Sequence, residues 1–235
     1  MPEGQRGGGS IAVSNDYGSP SYWDERYSAA VHKEAVTPGK GGSFDWYNSY
    51  GALRFAIRKF LVPEEGLGSE DEAEEKEILI AGCGNSTFGC EMYDDGFRNI
   101  TNIDVSEVVI NQMADKYSSR EDMEFTVMDV RNMEYIPDET FDAVIDKALF
   151  DALLCGDNNL DSVQCMLREV FRSLKPGGYY IMISHAPPAN RMHYLTPSYL
   201  HWDVEVTEVP KPTINGLDTS KKQELPNHFM YACRK

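Results

Sequence analysis

The sequence predicts an α/β domain in which a mostly parallel sheet carries helices on both faces. Three observations predict it. From Ile78 onward, short apolar runs ending in Gly or Asp alternate with stretches of helical periodicity. Two further alternating strands follow late in the chain, so the sheet is largely rather than wholly parallel. The composition, 41% hydrophobic and 11% aromatic over 235 residues, supplies one sizeable core and leaves little room for a second domain.

Residues 1–20 are rich in Gly, Ser and Pro and read as a flexible tail, followed by a single domain over 21–235. A short helix is expected at Ser21–Tyr27, where Trp23 and Tyr27 stand four apart. After a loop at Pro38–Gly42, a helix over Ser49–Leu61 places Leu53, Ile57, Phe60 and Leu61 on one face. Glu64–Glu77 holds eight carboxylates and one lysine, the pattern of a solvated loop. Strands follow at Ile78–Ala81, Asn99–Asp104, Met123–Met128, Phe141–Asp146, Tyr179–Ser184, Trp202–Val209 and His228–Arg234, seven in all. Helices are expected at Ser86–Asp95, stopped by Gly96, at Ser106–Tyr117 with Ser106 as N-cap, and at Leu160–Leu174. Lys175-Pro-Gly-Gly ends the last of these. The order is that of a Rossmann-like domain.

Charge narrows the partners. With 22 Lys+Arg against 38 Asp+Glu, the chain carries −16, which disfavours a nucleic-acid backbone or an anionic membrane as partner. It suits a basic protein, or simply solubility. Five cysteines without a Cys-x-x-Cys pair argue against a disulfide framework or a zinc site and for a reducing compartment. No apolar run approaches the roughly 20 residues of a membrane span, and the start has no secretory pattern. A cytoplasmic protein, monomeric rather than assembled, is the expectation.

In such a sheet, ligands gather beyond the carboxyl ends of the strands. Gly82-Cys83-Gly84-Asn85-Ser86 follows the first strand, where two glycines let the backbone approach a ligand and a helix start offers free N–H groups. Asp104 ends the second strand about twenty residues later, where a carboxylate would hold ribose hydroxyls. Asp129 and Val130 follow the third, suited to an adenine amino group beside an apolar wall. The position of a third glycine, which a pyrophosphate ligand would favour, is Thr87, and Gly-Lys-Ser/Thr is absent. An adenosine-containing ligand without a pyrophosphate fits best, and S-adenosylmethionine is one.

Here the chain resembles the class I S-adenosylmethionine-dependent methyltransferases. The resemblance rests on Ile-Leu-Ile-Ala-Gly-Cys-Gly-Asn-Ser at 78–86, Asn-Ile-Asp ending at Asp104, Met-Asp-Val ending at Val130, Phe-Asp-Ala-Val-Ile-Asp-Lys at 141–147 and the Leu-Lys-Pro-Gly-Gly-Tyr turn. More narrowly, Tyr22-Trp23-Asp24-Glu25-Arg26-Tyr27, Phe44-Asp45-Trp46-Tyr47 and Asp146-Lys147-Ala148-Leu149-Phe150-Asp151 resemble the eukaryotic group containing lysine methyltransferases of translation elongation factor 1A. The resemblance implies S-adenosyl-L-methionine as cofactor and S-adenosyl-L-homocysteine as product. It implies cofactor contacts from Trp23, Tyr27, Trp46, Gly82, Cys83, Gly84, Asn85, Asp104, Val105, Asp129, Val130 and Lys147. Ile80 stands where the broader class often has an acidic residue, and residues 210–226 match little.

The expected activity is methylation of a lysine on a basic protein such as elongation factor 1A, with a small-molecule methyltransferase or a non-catalytic cofactor-binding adapter as alternatives. Asp146 and Asp151 are the candidates for orienting an acceptor amine, set against turn and helix-cap roles for the same residues. Arg191–Tyr194 is a candidate acceptor contact, while His185 and His193 lack metal-ligand spacing and read as structural or solvent-facing. No Asn/Asp-Pro-Pro-Tyr motif is present, a further argument against nucleic-acid substrates.

Overall fold

The computed structural model describes residues 17–36, 44–62, 70–212 and 227–235. Residues 1–16 of the expected tail, the loop at Pro38–Gly42, and the greater part of the unmatched segment 210–226 lie outside the described residues. The expected first helix begins at Pro20 and runs much further than its aromatic spacing suggested, as α1 (Pro20–Val36). Proline suits this first position because it has no N–H to leave unpaired. The second, α2 (Tyr50–Leu61), buries Tyr50, Leu53, Ile57 and Leu61, while Arg54 and Arg58 both grip Asp95. Part of the acidic stretch expected as a loop is instead a one-turn helix, α3 (Glu70–Glu74), which buries Ala73.

The sheet then builds as expected: β1 (Ile78–Ala81), β2 (Ile100–Asp104), β3 (Met123–Val127), β4 (Phe141–Lys147), β5 (Leu174–Ser184), β6 (Asp203–Val209) and β7 (His228–Arg234). Between them lie α4 (Phe88–Asp94), α5 (Glu107–Lys116), α6 (Leu149–Leu154), α7 (Asn159–Ser173) and α8 (Met192–Leu195). Ser106 caps α5, its hydroxyl accepting from Val109 N. The short helices α6 and α8 have too few turns to show a period, and the sequence did not reveal them. Nor does Lys175-Pro-Gly-Gly lie outside the sheet. It is drawn into β5 as an irregularity opposite Phe141–Ala143, with Gly177 at φ +81° and its N–H donating to the Lys235 carbonyl.

Strand order is β3-β2-β1-β4-β5-β7-β6, parallel except for β7, which runs antiparallel to both β5 and β6. Side chains alternate across β1. Ile78 and Ile80 join a core with α2, α4 and α5, and Leu79 and Ala81 join one with α6 and α7. Because β2 and β4 flank β1 on opposite sides, the chain reverses its direction of growth there. That opens a crevice at the carboxyl ends of β1 and β4, which is where a ligand belongs.

Candidate active site

The turn leaving β1 is shaped by two positive-φ glycines, Gly82 at +63° and Gly84 at +51°. Both are also tight against neighbours. A Cβ at Gly84 would stand 2.6 Å from the Tyr27 hydroxyl, and one at Gly82 would press on the Leu149 side chain at 3.0 Å. The bare backbone thus forms a cradle that side chains would fill. Asp104 fixes its curvature: Oδ2 accepts from Gly84 N at 2.9 Å and Oδ1 from Ser106 N at 3.0 Å. Burial pushes the Asp104 carboxyl up, while these backbone donors hold it down in part. Two donors leave lone pairs over, and Asp104 and Val105 both line the cavity. Gly89, two residues past Thr87, is the glycine that brings α4 close to β2, against Asn102.

At the end of β3, Val130 is buried and Asp129 is held by Arg131, whose backbone N–H and guanidinium both donate to it. Burial would raise the Asp129 carboxyl, but Arg131 prevails and lowers it. On the opposite wall Trp23 stacks on Tyr27 with ring centroids 5.9 Å apart, its indole N–H donating to the Tyr17 carbonyl at 2.8 Å. Arg26 lies within 6 Å of the rings of Trp23, Phe44 and Trp46. Residues 44–48 cross above the glycine turn as a strap, pinned by Asp45. Its Oδ1 accepts from the Ser86 hydroxyl and from Lys147 Nζ at 2.8 Å. Lys147 donates also to the Trp46 carbonyl at 3.0 Å. Its burial lowers the ammonium's pKa against the pull of Asp45.

The two aspartates expected at the acceptor side part company. Asp146 is fully buried and outside the cavity lining. It accepts from Leu149 N, Phe150 N and the Tyr180 hydroxyl, so it secures the start of α6, and burial raises its pKa to about 7. The expectation that it orients an acceptor does not fit this placement. Asp151 does line the cavity, and it is no cap. Its Oδ1 accepts from Ser184 Oγ at 2.7 Å and from Arg191 Nη2 at 2.8 Å. Its Oδ2 takes the Tyr47 hydroxyl at 2.6 Å, His185 N at 3.0 Å and His185 Nδ1 at 2.7 Å. Desolvation opposes this charge, but the donors and Arg191 keep the carboxyl below its ordinary pKa. Arg191, expected to touch an acceptor, is itself buried and committed to Asp151.

These walls enclose about 390 Å³. The lining includes every residue expected to hold the cofactor, from Trp23 and Tyr27 through Trp46, Gly82–Asn85, Asp104–Val105, Asp129–Val130 and Lys147. It adds Arg26, Tyr47, Arg131 and His185, to which the sequence reading gave no place in the site. His185 follows Ser184 directly at the carboxyl end of β5, so the rule applied to the first three strands would have found it. The donor set suits S-adenosylmethionine: a carboxylate for ribose hydroxyls, an apolar shelf at Val130, and a backbone cradle that side chains would block.

Fold and cavity together define a nucleoside-binding α/β domain of the class I methyltransferase type. The methyltransferase-domain family matches residues 72–232. The human eEF1A lysine and N-terminal methyltransferase is 34% identical over 221 residues, covering 91% of this chain but only 28% of that protein. The mouse EEF1A lysine methyltransferase 4 is 30% identical over 199 residues, covering 81% of this chain and 70% of its own. Among solved structures, the N-methyltransferase NodS of Bradyrhizobium japonicum in complex with S-adenosyl-L-homocysteine matches with a TM-score of 0.55. Its identity is 13%, over 90% of this chain and 99% of that one, a likeness of fold. The chain belongs to the class I S-adenosylmethionine-dependent methyltransferase family that includes the eEF1A lysine methyltransferases.

Proposed function

We propose that this domain transfers a methyl group from S-adenosyl-L-methionine to a lysine side chain of a basic protein, with elongation factor 1A, the protein named for its relatives, as the first candidate. One observation carries the reading. The same cavity is lined by the glycine cradle and by the Asp151–His185 pair, of which Asp151 is buried and the His185 side chain is 56% exposed, so this polar end meets solvent at His185. A long, thin side chain from a partner can enter there. The net charge of −16 favours a basic partner.

The cofactor supplies the activated methyl on a sulfonium, so the protein's tasks are alignment and removal of the acceptor's proton. In this reading Asp104 holds the ribose, Asp129 and Val130 the adenine, and Gly82–Asn85 the part nearest the backbone. Trp23, Tyr27 and Trp46 cover the cofactor and exclude water. Lys147 holds the strap through Asp45 and the Trp46 carbonyl. A lysine ammonium at pH 7 resists deprotonation by about 4–5 kcal/mol, given a free pKa near 10.4. No helix among the described residues is long and apolar enough to cross a membrane. With elongation factor 1A as target, the protein works in the cytoplasm, without nucleic acid as substrate and as a monomer.

Incubating the protein with methyl-labelled S-adenosylmethionine and recombinant elongation factor 1A tests this directly. Label on one lysine of the factor, lost with Asp104→Ala, is expected. Cofactor binding without transfer to any protein would favour the adapter, and transfer to a small amine instead would favour the small-molecule enzyme.

A further inference from the structure

We propose that His185 is a catalytic residue, the base that takes the proton from the incoming lysine, and that Asp151, Arg191 and Tyr47 are its positioning residues. The proposal rests on the lysine-methylating reading and deepens it. Asp151 cannot hold the amine itself. Its Oδ1 accepts from Ser184 Oγ, Arg191 Nε and Arg191 Nη2, and its Oδ2 from Tyr47 Oη, His185 N and His185 Nδ1. Six donors exhaust the four or so lone-pair sites of a carboxylate. The residue is 6% exposed, so its charge acts through the groups around it rather than on a ligand.

The same contacts decide where the imidazole carries its proton. An ionised carboxylate only accepts, so at 2.7 Å the Nδ1 must be the N–H and must donate to Oδ2. The Tyr47 hydroxyl, donating to the same oxygen at 2.6 Å, can only accept from Nδ1 at 3.1 Å, which supports the same tautomer. The neutral ring then presents a bare lone pair on Nε2. That nitrogen is on the opposite edge of the ring from the buried carboxylate. It has no hydrogen-bond partner among the described residues, and the ring lines the cavity. A buried carboxylate that fixes a histidine's tautomer and orientation is the arrangement general bases need.

The groups around the ring are Tyr47 on the strap, Asp151 on α6, to which Arg191 beyond β5 is bound, and His228 on β7. Tyr47 is neutral, since burial and Asp151 raise its phenol, and burial lowers His228 to about 4, so neither adds charge near pH 7. Tyr47 sits at φ +66°, a conformation a bulky residue adopts only when its surroundings require it. In the step itself, the Nζ–H bond of the ammonium breaks and an Nε2–H bond forms. The electron pair stays on nitrogen as the lone pair that would attack the methyl carbon; the carbon–sulfur bond would break with its pair left on sulfur, giving the neutral thioether S-adenosyl-L-homocysteine, and the imidazolium later returns its proton to water.

The test compares the parent with His185→Gln, a change at a half-exposed ring, in label transfer to elongation factor 1A between pH 6.5 and 9.5. At pH 7 the variant is expected to be about 100-fold slower. Its rate should rise about tenfold per pH unit, because it depends on amine already deprotonated in solution, so the gap should close toward high pH. Binding of S-adenosylmethionine should be unchanged. A second readout needs no turnover: ¹⁵N spectra of the His185 ring should show the proton on Nδ1 and a free Nε2 in the neutral form. A parent that transfers no methyl group overturns the functional reading and this role with it. An active parent whose variant falls by a constant factor at every pH, or a ring protonated on Nε2, overturns the role alone.

Discussion

The two ends of the cavity are made of different materials. At the cradle the working groups are largely backbone, and the turn and its carboxylate tie fall at the ends of two successive strands. Gly82 and Gly84 set the turn, and Asp104 ties it to Ser106 through two main-chain N–H groups. At the other end six hydrogen bonds converge on one carboxylate, that of Asp151. Its partners come from Tyr47 on the strap, Ser184 and His185 at the end of β5, and Arg191 beyond it. The cradle is therefore set largely by backbone conformation, with Asp104 as its one charged tie. The mouth is a charge network in which each member keeps another from being buried unpaired.

The largest effect should come from breaking that network. Asp151→Ala leaves the buried Arg191 guanidinium without its counter-charge, with only Ser184 Oγ and the Asn190 carbonyl to accept from it, and a stability loss of about 3–5 kcal/mol is expected by urea unfolding. A loss below about 1 kcal/mol would mean that solvent reaches Arg191, and the contrast between the two ends would lapse. Next is Asp104→Ala. Here the fold should survive while affinity for S-adenosylmethionine falls about 10- to 100-fold by calorimetry, the worth of charge-assisted hydrogen bonds to the ribose. Unchanged affinity would show that the carboxylate serves only the turn. Smaller again is Gly84→Ala. A left-handed alanine costs about 1–2 kcal/mol, and the Tyr27 hydroxyl must move off the new methyl. Thermal unfolding should register the loss, with a change in Trp23 fluorescence because that ring stacks on Tyr27.

The same contrast explains what the sequence revealed. Strands β1 and β7 fell on their expected residues, since alternation and Gly or Asp stops are short-range signals. The cradle was legible for the same reason. Asp146 and Asp151 were legible as residues and not as roles. Both lie at the end of β4 or the start of α6, but one faces the α6 N–H groups beneath and the other faces Arg191, forty positions on. No local pattern encodes that pairing. Nor does one encode Tyr47 meeting His185 across 138 residues. The Lys-Pro-Gly-Gly turn read as a plain boundary because its pairing partners lie at the far end of the chain, at Lys235.

The strap shares features of both ends, and it gives the finest test of the distinction. Asp45 and Lys147 are 102 residues apart, like the mouth, yet they pin a backbone segment over the cradle. If this pair acts as the mouth does, its members depend on each other. Asp45→Asn takes the counter-charge from a Lys147 side chain only 8% exposed and leaves it neutral carbonyl acceptors, and Lys147→Met removes that charge altogether. A double-mutant cycle should then give a coupling of about 1 kcal/mol, modest because Asp45 is itself partly exposed. The double variant should recover part of what Asp45→Asn loses, since the methionine leaves no unpaired ammonium behind. Additive losses would assign the strap to the aromatic contacts of Trp46 with Phe44 and Arg26, and would place it with the cradle as a feature held by shape rather than by charge.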